Sequence, residues 1–555
     1  MAGEGSLGDF LASLLPKGKA ELADKALKAL LKGGIDEVDQ LRTFSCAELH
    51  LCGVPLLLAK NVSKFFAQLN GDRSSYFESD AYRRLKNSTP SHLALDSAEF
   101  TLEHQMKKPP VFMNYRPDTA QGLPLPLISP VFANFLDSCQ ETEVRPQDSA
   151  FVDELCRESS KAYADEQQRR LMLLKLLEKY LDDKFVLEKT KSGIAISCGG
   201  RLLAFVAVRN EQGCGGDPFI QACRYYVDHL AANVDDEMLG RGCCPVFLLE
   251  VVGPLLRISG AAFTDGPVME PLRMGLLLRR RNAGEMDSLC RMVVALRKSL
   301  QSLASISIQA LKLDLAGAKL PYVLQELHLR GAQVDTIIYG ETYVVHVERL
   351  QHEVPEPPSS SMSAFARIQH LGVGKIFVKF CQRYGSQVHR DWFERGCAPQ
   401  LFDTLSLGGG WLMVCMEYME NYIDLEKARE MFQSQWSEIQ ALAQRCLDKA
   451  QNSAFQGVHG DLRLPNLMVD PQLSRVVAVD FGWAGRDGID RYPYYMNHAD
   501  IAWPDGALDG AVMRREHDRV LLSSQLALQR KRKLADAFND STLFQLTRSK
   551  LMSLN

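Results

Sequence analysis

Val458-His459-Gly460-Asp461-Leu462-Arg463-Leu464-Pro465-Asn466-Leu467, followed by Val476-Val477-Ala478-Val479-Asp480-Phe481-Gly482, is the pair of stretches on which the reading of this chain turns. Asp461 and Asn466 are five residues apart, and Asn466 and Asp480 are fourteen apart, with a strand–turn–strand pattern between them. Phosphoryl transfer needs a carboxylate to orient the attacking hydroxyl, and oxygen ligands for Mg²⁺. Magnesium takes hard oxygen ligands and keeps several waters, so one carboxylate and one amide suffice beside the phosphates of ATP. The expected roles follow: Asp461 as catalytic base towards the acceptor, Asn466 and Asp480 as metal ligands.

The two motifs, in this order, match the catalytic loop and metal-binding Asp of the protein-kinase-like fold, which the chain resembles over residues 321–545. The resemblance implies further roles. Lys379, in the strand-like Val378-Lys379-Phe380, would bind the α- and β-phosphates of ATP. Its ion-pair partner would be Glu394 or His389, both on the short helix that follows. Met416-Glu417-Tyr418-Met419 would be the hinge, with the backbone at Glu417 and Met419 binding adenine. Arg463, two residues past Asp461, would face the transferred phosphate and stabilise its charge.

Departures from the pattern matter too. No G-x-G-x-x-G precedes Lys379; Gly372-Val373-Gly374 lies too close to it. Gly408-Gly409-Gly410, between runs at 401–407 and 411–418, reads as a hairpin turn rather than a phosphate cradle. Gly460 stands where regulated protein kinases carry an Arg, and no A-P-E follows Asp480. Control by phosphorylation after Asp480 is therefore not expected, and Tyr492, Tyr494 and Tyr495 are expected to pack inward. The His-Gly-Asp start is more similar to choline and aminoglycoside phosphotransferases.

Residues 148–320 read as an α/β domain. Helical patterns at 148–181, 217–230 and 286–303 flank strand-like runs at 184–189, 193–198, 202–208, 245–252 and 255–263. Val206-Ala207-Val208-Arg209-Asn210-Glu211, then Asp217, Gln221 and Tyr225-Tyr226, resembles the restriction-endonuclease-like fold. Such a domain joined to a divergent kinase resembles the Crinkler-type effector architecture and related fungal and protist proteins. The family's core strand reads E-x-K, whereas here Ala207 and Arg209 hold those places. Nuclease chemistry needs acidic metal ligands and a base, so the expectation is an inactive scaffold with Glu211, Asp217 and Gln221 as remnants.

The fold class is thus multidomain α/β and α+β. A helical module at 1–70, resembling a sterile alpha motif, would offer a surface for a protein partner. Pro109, Pro110, Pro117, Pro124, Pro126 and Pro130 suggest a linker or loop-rich lead-in at 71–147. The restriction-endonuclease-like domain and the two-lobed kinase-like domain follow, the latter with a flexible insert at 355–361. A net charge of −4 argues against a nucleic-acid partner for the whole chain. No apolar run reaches the length needed to span a bilayer, and Met1-Ala2-Gly3-Glu4-Gly5 does not read as a secretory signal. The 14 cysteines show no C-x-x-C pair and are expected to be reduced thiols in the cytoplasm. Arg279-Arg280-Arg281 and Arg530-Lys531-Arg532-Lys533 could serve as a nuclear address. The functional expectation is a phosphotransferase using ATP and Mg²⁺ on a protein or small-molecule acceptor. The competing readings are a pseudokinase and pseudonuclease scaffold that mediates protein interactions, and a residual nuclease.

Overall fold

The computed structural model describes residues 11, 20–32, 54, 58, 74–87, 100–117, 120–191, 193–212, 216–234, 243–280, 282–306, 320–329, 333–336, 342–346 and 374–527. The chain is mixed α/β and divides into two compact units, one ending at Gly331 and one beginning at Ala332. The insert at 355–361, the basic run at 530–533 and most of the module at 1–70 lie outside the described residues. Within that module the helix Ala20–Lys32 buries Ala23, Ala26 and Leu30, one helical face. No helix among the described residues is long and apolar enough to cross a membrane.

The first unit is built on a six-stranded sheet of β1 (Val186–Lys189), β2 (Gly193–Cys198), β3 (Arg201–Arg209), β4 (Val246–Val252), β5 (Leu255–Phe263) and β6 (Pro267–Leu277), side by side in that order. β3 and β4 are parallel and joined through the helix Pro218–Asn233; the other pairs are antiparallel. β3 and β4 are near-continuous apolar runs because both sheet faces are covered. Val206, Val208, Leu249 and Val251 face a core shared with the helices Pro130–Glu141, Pro146–Ser159, Glu166–Tyr180 and Ala283–Ser305. Phe205, Ala207 and Leu248 face Cys223, Tyr226 and Val227 of the Pro218–Asn233 helix.

Two features depart from expectation. The prolines of 71–147 do not keep its later part free of regular structure. Pro130 and Pro146 each start a helix, at a position where a missing N–H costs nothing. Leu125, Ile128, Phe132 and Phe135 then enter the main core. β6 is also unforeseen, since Pro271 and Gly275 interrupt its pattern. It is an edge strand, where an absent donor is tolerated, and its pairing with β5 shifts register twice.

The second unit holds an antiparallel five-stranded sheet in the order β10-β11-β9-β8-β7. Its strands are β7 (Gln333–Thr336), β8 (Thr342–His346), β9 (Lys375–Cys381), β10 (Leu401–Gly408) and β11 (Trp411–Glu417). On β9, Ile376, Val378 and Phe380 are buried and alternate with Lys375, Phe377 and Lys379, so the period of two sets Lys379 on the opposite face. The β10–β11 turn is the glycine triplet, with all three φ positive, as a tight hairpin requires.

The rest of this unit is mainly helical. Leu425–Met431, Trp436–Gln451 and Arg515–Ala527 surround β12 (Ile423–Asp424), β13 (Gly457–Val458), β14 (Leu467–Val469), β15 (Val476–Ala478) and β16 (Gly485–Arg486). β14 and β15 are the strand–turn–strand of the sequence. Asp470 closes their turn by accepting from the amides of Ser474 and Arg475, each at 2.7 Å. Trp392, Leu447, Leu462, Leu467, Ala478 and Phe481 pack beneath.

Candidate active site

β13 delivers the chain to His459, and the short 3-10 turn Leu464–Asn466 carries it into β14. That turn brings Asn466 back onto Asp461. Asn466 Nδ2 donates to the Asp461 carbonyl at 2.8 Å and to Asp461 Oδ2 at 2.9 Å. Arg463 grips the same carboxylate at both oxygens, Nε to Oδ1 at 2.5 Å and Nη2 to Oδ2 at 2.8 Å. This charge-assisted fork is among the stronger polar contacts, and it raises the pKa of the guanidinium.

Asp480 follows β15 in a left-handed conformation, φ +65°, which Asp tolerates better than most residues. The flanking contacts hold it there. The Val479 amide donates to the Asn466 carbonyl at 2.9 Å, and the Gly482 amide to Asp480 Oδ1 at 3.2 Å. Lys379 Nζ reaches the same Oδ1 at 2.7 Å from β9, across 101 residues of sequence. Burial pushes the Asp480 carboxyl up, but the Lys379 charge and these hydrogen bonds prevail and hold it below the usual range. Asp461, Arg463, Asn466, Asp480 and Lys379 are therefore linked through one short network.

Neither candidate partner takes Lys379. Glu394 lies exposed at the end of the helix Ser386–Glu394. His389 is buried: its Nε2–H donates to the Pro399 carbonyl at 2.9 Å, and its Nδ1 accepts from the Tyr384 hydroxyl at 2.7 Å. Its ring stacks on Phe481 at 4.4 Å, and burial pushes its pKa down to about 4. It acts as a neutral packing group under Asp480. Glu417 closes β11, where its amide donates to the Gln400 carbonyl at 2.9 Å and its Oε2 accepts from the Gln400 amide at 3.0 Å. Met419 lies two residues on, its carbonyl accepting from the Tyr422 amide. Because Val414 pairs with Lys379 and Glu417 with Ile376, the expected hinge is three register positions from Lys379 on the neighbouring strand.

One residue was not foreseen. Asp518, in the helix Arg515–Ala527, is buried and accepts from the His459 amide at 2.7 Å and the Gly460 amide at 2.9 Å. Burial pushes its carboxyl up to about 7, against the pull of the two amides. The signal was present as a lone acid on the apolar stripe formed with Leu521, Leu522 and Leu526. The loop it anchors needs glycine at 460: φ is +82°, and a Cβ would lie 2.5 Å from the Met513 methyl. His459 Nε2 donates to the Val479 carbonyl at 3.0 Å, tying the Asp461 loop to the Asp480 segment. Of the three tyrosines beyond Asp480, Tyr492 packs inward and bonds His517 at 3.1 Å. Tyr494 and Tyr495 do not: they are 70% and 97% exposed, Tyr495 in a left-handed turn that aims it outward.

The residues singled out in the first unit are engaged in separate contacts. Arg209 pairs with Glu166 at 2.9 Å, Glu211 with Arg169 at 3.4 Å, and Asp217 caps the Pro218–Asn233 helix. Gln221 is buried with Oε1 lacking a partner. Beside Ala207 in the β3–β4 register stands Glu250, which the sequence reading passed over. Glu250 is buried, bonds Arg257 at 3.2 Å, and is pushed up to about 7 by that burial.

Among the described residues no group of three or more His, Cys, Asp or Glu is placed to hold a metal ion. Asp480 and Asn466 instead offer one carboxylate and one amide. Asp480 Oδ2 and Asn466 Oδ1 accept no hydrogen bond from the described residues. Two free hard oxygens in a network that also holds the Lys379 and Arg463 cations fit Mg²⁺ held together with phosphate and water.

No family model matches the chain, and no curated protein matches it. Among solved structures, the chain is similar to the kinase PK-1 of Cydia pomonella granulovirus, at 14% identity and a TM-score of 0.21. That match covers 29% of this chain and 55% of the viral one, so it spans about half the length of that structure.

Proposed function

We propose that the second unit is an ATP- and Mg²⁺-dependent phosphotransferase of the protein-kinase-like superfamily. The observation that carries this reading is the convergence of Lys379, Asp461, Arg463, Asn466 and Asp480 from separated segments onto one hydrogen-bonded network. Asn466 Oδ1 and Asp480 Oδ2 would hold magnesium, which supplies charge neutralisation at the phosphates. Lys379 Nζ, 2.7 Å from Asp480 Oδ1, would turn to the phosphates of ATP. Asp461 would receive the acceptor's hydroxyl proton at a carboxylate oxygen, with Asn466 fixing its plane. Arg463 would leave that carboxylate for the transferred phosphate, where a guanidinium fork stabilises spread negative charge. The first unit would be a restriction-endonuclease-like scaffold without nuclease activity, giving the chain a Crinkler-like organisation.

A second reading, a non-catalytic scaffold, draws on one observation: both Asp461 oxygens are already occupied by Arg463. One experiment separates the two. The full chain is incubated with labelled ATP and Mg²⁺, alone and with protein and small-hydroxyl acceptors, beside Asp461→Ala. Label transfer or ATP hydrolysis that disappears in the variant supports the enzyme. No turnover in either, with ATP still bound, supports the scaffold.

A further inference from the structure

Away from this network, the second unit sets two thiols face to face. Cys397 follows the helix Ser386–Glu394, and Cys446 lies in the helix Trp436–Gln451. Cys397 Sγ is 3.2 Å from the Cys446 carbonyl oxygen, and Cys446 Sγ is 3.8 Å from the Cys397 carbonyl oxygen, so the two side chains cross. The neighbouring Cys446 thiol, first, and then the cations of Lys449, Arg475 and Arg395 shift Cys397 towards readier ionisation than an ordinary cysteine. Cys446 is correspondingly pushed up. The contrast with other cysteines is clear: burial pushes up Cys139, Cys156, Cys223, Cys290, Cys381 and Cys415.

Two thiols held against each other's backbone are the arrangement from which peroxide oxidation can close a disulfide. We propose that Cys397 and Cys446 are a modification site: a hydroperoxide oxidises Cys397, and Cys446 resolves it to a disulfide that small thiols reverse. The Cys397 sulfur attacks one peroxide oxygen. The O–O bond breaks, Cys397 becomes a sulfenic acid, and the other oxygen leaves as water with hydrogen peroxide as oxidant. The Cys446 sulfur then attacks the Cys397 sulfur; the S–S bond forms, the S–O bond breaks, and the hydroxyl takes the Cys446 proton and leaves as a second water. Two thiols lose two electrons and one peroxide becomes two waters. Closure needs the sulfurs to turn from the backbone carbonyls towards each other, to roughly 2 Å apart.

Both thiols are buried, Cys397 at 1% and Cys446 at 5% exposure. Gly396, next to Cys397 in the chain, is exposed. The site is also connected. The Cys397 carbonyl accepts from the Ala478 amide at 2.8 Å, two residues before Asp480. A disulfide would therefore tie the Trp436–Gln451 helix to the strand that leads into Asp480. The chemistry itself does not depend on the proposed phosphotransferase activity.

The test uses the full chain. It is treated with a modest excess of hydrogen peroxide, quenched, denatured, alkylated and peptide-mapped. The expected product is a Cys397–Cys446 cross-linked peptide pair that a dithiol reductant removes. In Cys446→Ser a sulfenic-acid trap should label Cys397, and in Cys397→Ser Cys446 should stay free. Recovery of both cysteines in alkylated form from the peroxide-treated natural chain would overturn the proposal, as would cross-linking of either to a different cysteine. The map of the natural chain decides the matter even if a variant folds poorly.

Discussion

Two sheets in this chain carry charged residues and use them in opposite ways. On β9, Lys379 reaches Asp480, 101 residues away, and Asp480 is tied through Val479 to Asn466 and so to Asp461. On β4, Glu250 meets Arg257 of the adjacent hairpin strand, seven residues away, and Arg209 meets Glu166. In the first unit the candidate nuclease residues are held in separate contacts, Arg209 by Glu166, Glu211 by Arg169 and Glu250 by Arg257. In the second, several segments spend their polar atoms on one place and leave two oxygens facing out. Convergence of distant segments, rather than the presence of buried charge, distinguishes a site from a structural pair.

The strongest way to break that contrast is Asp480→Asn. The neutral amide is a poorer metal ligand and cannot balance the ion's charge. Losing several kcal/mol of transition-state stabilisation corresponds to roughly a thousandfold or more in ATP turnover. Thermal unfolding should change little, since the amide is isosteric. Normal turnover at equal stability would remove Asp480 from the metal role.

Asp518→Ala should come next. It strands the His459 and Gly460 amides, both buried, and each unsatisfied donor costs about 1–3 kcal/mol. Denaturant unfolding should report a loss of about 2–5 kcal/mol in the second unit, with turnover falling because the Asp461 loop loses its anchor. Asp518→Asn, which keeps one acceptor oxygen, should lose less. An alanine variant as stable as the natural chain would show that the loop holds itself.

A smaller effect concerns pH, and here the two units behave alike. Glu250 and Asp518 each have a carboxyl raised to about 7 by burial. The folded chain thus binds more protons than the unfolded chain between about pH 4 and 7. Their contribution to stability is complete below the unfolded pKa and is lost as pH rises through about 7. For Glu250 the loss is at most about 3 kcal/mol. Urea midpoints should fall from pH 5 to pH 8, and Glu250→Gln should flatten the slope of the first unit's transition alone. A slope unchanged by that substitution would place the titration elsewhere.

How much of this was legible in sequence depends on distance along the chain. The alternation of β9 gave the face of Lys379, and the spacing within 458–482 gave a compact group of three polar residues, because a tight turn and a short hairpin act over few residues. The glycine triplet declared its turn for the same reason. Asp518 was missed because its partners are backbone amides 58 and 59 residues upstream, which leave no trace in residue type. The partner of Lys379 was sought in Glu394 or His389 and is Asp480, since helix periodicity does not say which face meets which strand. The helix Pro130–Glu141 was hidden by the proline that begins it.

The smallest expected effect is none at all, and it bears most directly on the contrast. The full chain incubated with DNA or RNA and Mg²⁺ or Mn²⁺ should leave the nucleic acid intact on a denaturing gel. Ala207 offers no oxygen, and the Arg209 guanidinium, a poor base, is held by Glu166 at 2.9 Å. Glu250 stands one strand over from Ala207, but it bonds Arg257, and with its carboxyl pushed up to about 7 by burial it is only about half ionised at neutrality, which weakens it as a metal ligand. Cleavage abolished by Glu211→Ala would locate a nuclease centre in the loop after β3. Cleavage abolished by Glu250→Gln would mean that the neighbouring strand has taken over from Ala207, and that the Glu250–Arg257 contact conceals a working site.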